Sequence, residues 1–135
     1  MAMWEISDRY FKGRGGFQKD EKKTFEFALK AANNGYAVAQ QFVGVCYEHG
    51  TGTTPNKKES FSFQQKAASQ NYVMGLQSLA IAYDVGIGCE RNEVLALEYY
   101  KKAIVQKDAR SYCALGEFYY NAKANLKQDF RIARE

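Results

Sequence analysis

GYAVAQQFVGVCYEHGTGTTPNKKESFSFQQKAASQ occupies residues 35–70, and NYVMGLQSLAIAYDVGIGCERNEVLALEYYKKAIVQ occupies residues 71–106. Laid over each other at a spacing of 36, they agree at Tyr36/Tyr72, Gln41/Gln77, Tyr47/Tyr83, Gly50/Gly86, Gly52/Gly88, Asn56/Asn92, Lys66/Lys102, Ala67/Ala103 and Gln70/Gln106. Self-similarity at a fixed period marks an architecture in which one small unit is copied and stacked. The period runs on in both directions. Lys30-Ala31-Ala32 precedes Lys66-Ala67-Ala68 by one period, and Asp20 precedes Asn56. Tyr10, Gly13 and Gly15 repeat Tyr47, Gly50 and Gly52 with one residue of slippage. Forward, Tyr83 leads to Tyr119 and Leu79 to Leu115, while Asn92 and Ala96 lead to Asp129 and Ala133 with one extra residue.

Each unit reads as two helices. Ala39, Val43, Cys46 and Tyr47 lie at i, i+4, i+7 and i+8, one face of a helix. Gly50 then ends it, because the position just past a helix favours a left-handed backbone. Asn56 suits the N-cap of the second helix, and Asp20, Asn92 and Asp129 fall at the same point of their units. The aromatic of the second helix is Phe27, Phe63 or Tyr99. Small residues at Ala39/Gly75, Gly44/Ala80/Gly116 and Ala67/Ala103 allow close helix approach, and no pair buries its own apolar face without a neighbour. The expected fold is all-α, a right-handed superhelical solenoid of stacked helix pairs. Its helices are expected over 3–12, 20–33, 37–49, 57–70, 73–85, 93–106 and 109–121, with a short one from 129. The chain forms one domain, with a partial repeat over 1–34, repeats at 35–70 and 71–106, and a partial repeat over 107–135.

Composition agrees. In 135 residues, 46% are hydrophobic and 25% charged, ordinary values for a globular domain, with one Pro against 11 Gly. No run of about 18 apolar residues exists, so membrane insertion is not expected. The net charge of +4 is spread, with 19 basic residues interleaved among 15 acidic ones. Asp20, Glu21 and Glu26 interrupt the N-terminal group of Lys12, Arg14, Lys19, Lys22 and Lys23, which argues against a nucleic-acid partner. Cys46, Cys89 and Cys113 are odd in number and lack C-x-x-C spacing, so a disulfide framework or zinc site is not expected. The N-terminus carries no basic segment followed by an apolar one. A cytoplasmic location is expected, with a signal outside this chain left open.

These residues resemble the Sel1-like repeat, a relative of the tetratricopeptide repeat. Ala39, Val43-Gly44, Tyr47, Gly50, Gly52, Asn56, Ser60, Phe63 and Lys66-Ala67-Ala68 follow its pattern, as do Leu79-Ala80, Tyr83, Gly86, Gly88, Asn92, Ala96, Tyr99 and Lys102-Ala103. The double-glycine turn after Tyr is the specific part. Phe or Tyr stands where the family has Trp, and the turn at 121–125 has no glycine. The resemblance implies a non-enzymatic scaffold or adaptor that binds a protein or peptide. The alternatives are a secreted bacterial effector on the same scaffold and a small hydrolase of the cysteine-rich Sel1-like type. That last variant carries paired thiols, whereas the positions after the Lys-Ala pair here are Ala32, Ala68 and Ile104.

Catalytic, cofactor and metal sites are not expected. His49, the one histidine, adjoins Gly50 at a helix end and has no second His or Cys pair to act with. The Gly-x-Gly pairs lack the Gly-Lys-Ser/Thr of a phosphate loop and recur as turns. Binding is expected on the concave face lined by the first helices. At 100° per residue, positions 41, 45 and 48 point away from the core face set by Ala39. This selects Gln41, Val45 and Glu48, then Gln77, Ile81 and Asp84, then Cys113, Glu117 and Tyr120, of which all but Cys113 are taken as the peptide-binding set. The strip is polar, aliphatic and acidic, suited to an extended peptide of some basic character. The closing segment from Asp129 starts a second helix and stops without a polar cap. A fragment of a longer repeat protein, or an end covered by another copy through end-to-end association, is therefore expected.

Overall fold

The computed structural model describes residues 2–13, 16, 18–106, 116, 117 and 120. Six helices follow in order: α1 (Met3–Lys12), α2 (Glu21–Asn33), α3 (Ala37–His49), α4 (Lys57–Ser69), α5 (Val73–Val85) and α6 (Glu93–Val105). Among the described residues there is no strand. Within them the expected spans agree to within one residue at each end. Of the helix expected over 109–121, Gly116, Glu117 and Tyr120 are described and helical, and the segment from 129 lies outside the described residues.

The same local chemistry starts each second helix. Asp20, Asn56 and Asn92 are extended, and their side chains accept from the N–H groups of Lys23, Glu59 and Leu95, each at 3.1 Å. Each cap's own N–H donates to a tyrosine carbonyl of the preceding helix: Asp20 to Tyr10 at 3.1 Å, Asn56 to Tyr47 at 2.7 Å and Asn92 to Tyr83 at 2.8 Å. The cap and the end of the preceding helix are thus fastened together across the turn. Gly13, Gly50 and Gly86 end the first helices with left-handed φ of 67°, 76° and 86°.

Second helices end through Gly35 (φ 89°) and, one period on, Asn71 (φ 60°). Asn is among the few side-chain-bearing residues that tolerate this backbone. The carbonyl of each accepts from a glutamine one unit later, Gln70 Nε2 to Gly35 at 2.9 Å and Gln106 Nε2 to Asn71 at 2.8 Å.

Consecutive helices pack on one another, and α3 also touches α5, a contact that α4 and α6 do not match. The first helices α3 and α5 therefore line the closer side of the stack. Ala28, Ala39, Ala67, Ala80, Ala96 and Ala103 are fully buried at the helix crossings. At Gly75 even a methyl is excluded, since a Cβ there would stand 2.7 Å from that of Ala67. Aromatic rings fill the remaining space in a repeating ladder. Tyr10 stacks on Phe27, Tyr47 on Phe63 and Tyr83 on Tyr99 at 5.7–5.9 Å between centroids. Edge contacts of Phe25 with Tyr47 (5.3 Å) and Phe61 with Tyr83 (5.4 Å) join neighbouring units. Lys30, Lys66 and Lys102 lie over Phe27, Phe63 and Tyr99, closing the outer side of each stack.

The two glycines of each turn carry different constraints. Gly86 needs its positive φ, but an added Cβ would have 3.5 Å of clearance. Gly88 (φ 71°) lies against the preceding second helix, where a Cβ would collide with the Lys57 carbonyl oxygen and stand 2.9 Å from the Phe61 Cβ. Gly52 meets Glu21 and Phe25 in the same way one unit earlier. Gly86→Ala should cost about 1 kcal/mol, the left-handed penalty alone. Gly52→Ala and Gly88→Ala should each cost about 3 kcal/mol or more, because overpacking adds to that penalty. Equal urea-midpoint shifts for Gly86→Ala and Gly88→Ala would contradict the close approach.

Candidate functional site

The first-helix face holds the residues selected from the sequence. Gln41, Val45, Glu48 and Asp84 are half-buried, Ile81 is 44% exposed, and Glu117 and Tyr120 are exposed. Gln77 is 7% exposed and belongs with the buried polar side chains. Helix periodicity gives a direction away from the core but not what packs against the side chain. One unit earlier, Gln41 Nε2 donates to Ser78 Oγ at 3.5 Å across the α3–α5 contact. Cys113 lies outside the described residues.

Position for position, with the one-residue slippage of the Tyr10/Tyr47 register, Trp4, Asp8 and Phe11 on α1 correspond to Gln41, Val45 and Glu48. Trp4 and Phe11 both meet the Phe42 ring edge-on, at 5.4 and 5.6 Å. Phe42 stands one period before Ser78, so Trp4–Phe42 repeats the Gln41–Ser78 contact in aromatic form. The strip is thus aromatic at its α1 end and acidic further on. Sequence reasoning missed this end, although the Tyr10 register was the signal for it.

The carboxylates differ in their partners. Asp8 pairs with Lys12 at 3.1 Å. Glu48 and Asp84 have no ion pair among the described residues. The Tyr100 phenol is pushed up to about 12, first by burial and then by the charges of Asp84 and Glu117. Glu48 and Ile81 share a cavity of about 150 Å³ with Ser60, Phe61, Gln64 and Ser78, between α3, α4 and α5.

His49 is exposed in the last turn of α3. Cys46 and Cys89 are free thiols, and burial, with the Glu21 charge second, pushes Cys46 up to about 12. A thiol so shielded is no nucleophile at neutral pH. Among the described residues, no group of three or more His, Cys, Asp and Glu could hold a metal ion, and no helix is long and apolar enough to cross a membrane.

The Sel1 repeat family matches at residues 1–36, 37–72, 74–107 and 109–135, and the chain belongs to it. A Sel1 repeat protein from Oxalobacter formigenes is similar, with a TM-score of 0.78 and 30% identity over 85% of this chain and 86% of that one. So is c5321, a protective antigen of uropathogenic Escherichia coli displaying an SLR fold, with a TM-score of 0.85 and 35% identity over 89% of this chain and 26% of that one. The cysteine-rich protein B of Helicobacter pylori shares the fold at a TM-score of 0.70 and 19% identity, over 84% of this chain and 94% of that one. A 40-residue stretch, 30% of this chain, is 50% identical to the chitin synthase regulator SKT5 of Saccharomyces cerevisiae. The chain spans 6% of that regulator's length and about a quarter of the c5321 structure. Sel1 repeat proteins generally mediate protein–protein interaction, and their fold is typically a non-catalytic scaffold.

Cys46 and Tyr100 give the fold an alkaline limit. Both groups ionise less readily when folded, from ordinary values of 9.0 and 10.0 up to about 12. Their contribution to stability is full below the unfolded values and is lost as pH rises through about 9 to 12. The urea midpoint should be insensitive to these groups from pH 6 to 8 and fall above pH 9, less steeply in Cys46→Ala. An unchanged slope in that variant would contradict the burial assigned to the thiol.

Proposed function

We propose that this chain is a non-enzymatic scaffold or adaptor that holds a protein segment of basic character along the first-helix face, in contact with Gln41, Val45, Glu48, Gln77, Ile81, Asp84, Glu117 and Tyr120. One observation carries the reading: Glu48 and Asp84, one period apart, lack ion-pair partners among the described residues and stand beside the aliphatic Val45 and Ile81. A bound segment with basic and apolar side chains would neutralise the carboxylates and cover the exposed part of Ile81. Gln77 contributes mainly by setting the floor of the strip. The family's general role in protein–protein interaction supports a protein partner over a nucleic acid, and the spread of charge agrees. Free thiols at Cys46 and Cys89 support a reducing, cytoplasmic setting.

The test is selection from a random peptide library on the intact chain and on a Glu48→Lys/Asp84→Lys variant. The intact chain should enrich Lys- or Arg-containing peptides. The variant should lose them by tenfold or more in affinity while keeping its melting temperature within a few degrees. Enrichment of the same peptides by both proteins would overturn the reading.

A further inference from the structure

Glu48 on α3 and Asp84 on α5 stand one period apart, on first helices that touch. Neither carboxylate has an ion-pair partner among the described residues. Arg91 does not serve the Asp84 carboxylate: its Nε donates to the Asp84 backbone carbonyl at 2.9 Å, and its guanidinium pairs with Glu93 at 2.8 Å. Lys12 of α1 is paired with Asp8. At the α1 end the row carries an exposed ring in place of a carboxylate. Phe11 occupies the Glu48 position in the shifted register and meets Phe42 edge-on beside Trp4.

Spacing decides which backbone conformation can use this row. Helices in contact lie about 8–10 Å apart, so the row repeats at that interval. A partner must bring a side chain back to the same side at the same interval. A β-strand does so every second residue, at about 6.6 Å and then about 13 Å. An α-helix does so at about 5.4 Å per turn and, over seven residues, at about 10.5 Å. A polyproline II chain has three residues per turn and a rise of about 3.1 Å, so its side chains return at about 9.3 Å, inside the interval. Backbone bonding points the same way. Strand addition needs the open backbone groups of a sheet edge, whereas this row lies within helices whose peptide groups are bonded along the helix. A polyproline II chain keeps its own backbone in water and docks readily on aromatic rings.

We propose that the row Phe11–Glu48–Asp84 takes a partner segment in the polyproline II conformation, with two basic residues three positions apart facing the carboxylates and an apolar residue three positions further on facing Phe11. The proposal rests on the peptide-binding reading and deepens it, by giving the segment a conformation and a register. Carboxylates read charge and not chain direction, so either direction of the segment satisfies the row.

The experiment uses the intact chain and fluorescein-labelled proline-based peptides that each carry two lysines, read by fluorescence anisotropy at constant ionic strength. Lysines three apart should bind several-fold more tightly than lysines two or four apart in peptides of the same composition, and more tightly than lysines seven apart in an alanine-based helix. Glu48→Gln and Asp84→Asn should each erase that preference, because one carboxylate cannot measure a spacing. A leucine placed three residues beyond a lysine, tried at each end, should tighten binding several-fold. Phe11→Ala should remove that gain at one end and leave the preference for lysine spacing unchanged. Equal affinity at every spacing, tightest binding at two, four or seven, or a leucine gain that survives Phe11→Ala at both ends would overturn the proposal. Library peptides that bind through Glu48 and Asp84 with no three-residue spacing would refute the register and leave the peptide-binding reading standing. If no lysine peptide binds and the library enriches nothing basic, both fail.

Discussion

The backbone of Gly52 and of Gly88 lies so close to the first turn of the preceding second helix that no side-chain carbon fits between them. This contact couples one unit to the next. It brings the turn down onto the start of α2 or α4, beside Phe25 or Phe61, and those rings meet Tyr47 and Tyr83 of the following first helix. The tyrosines in turn stack on the aromatic of their own second helix, and their carbonyls accept from the caps Asn56 and Asn92. Turn, cap and aromatic ladder are therefore one device repeated at 36 residues. Aromatic pairs are worth only about 0.5–1.5 kcal/mol each beyond their buried area. Their effect here is to fix register, while burial of the alanine-lined crossings supplies most of the stabilisation.

Register is what gives the surface its order. Because each first helix is set down in the same orientation, residues one period apart come into line on the side where α3 and α5 touch. Val45 aligns with Ile81 and Glu48 with Asp84. The proposed binding strip needs no special loop or strained residue. The departures from the period are then informative: Trp4, Phe11 and Phe42 make the α1 end aromatic, and Gln64 seats its amide against Gly44 where the next unit has Tyr100 and Ala80.

Local chemistry was legible in the sequence. Caps at Asp20, Asn56 and Asn92 and left-handed ends at Gly50 and Gly86 depend on residues a few positions apart, and period 36 repeats each signal. The direction of Ile81 followed from helix geometry alone. The burial of Gln77 did not, because periodicity gives a direction and not what packs against the side chain. Neither did the seating of the Gln64 amide, since Gly44 and Gln64 lie on different helices and only packing shows that one missing Cβ admits the other's amide. Asn71 hid its left-handed backbone behind a residue type with other uses.

Native-state hydrogen exchange at the amides of Asn56 and Asn92 tests the coupling most directly. Both residues are exposed and follow a glycine turn, so accessibility alone would let their amides exchange as fast as those of an open loop. Each donates instead to a tyrosine carbonyl of the ladder, at 2.7 and 2.8 Å. If turn, cap and ladder open only together, these two amides exchange with an opening free energy equal to that of the α3 and α5 core amides. Exchange at open-loop rates, with the core amides still protected, would show that the turn is a passive connection and would contradict the account.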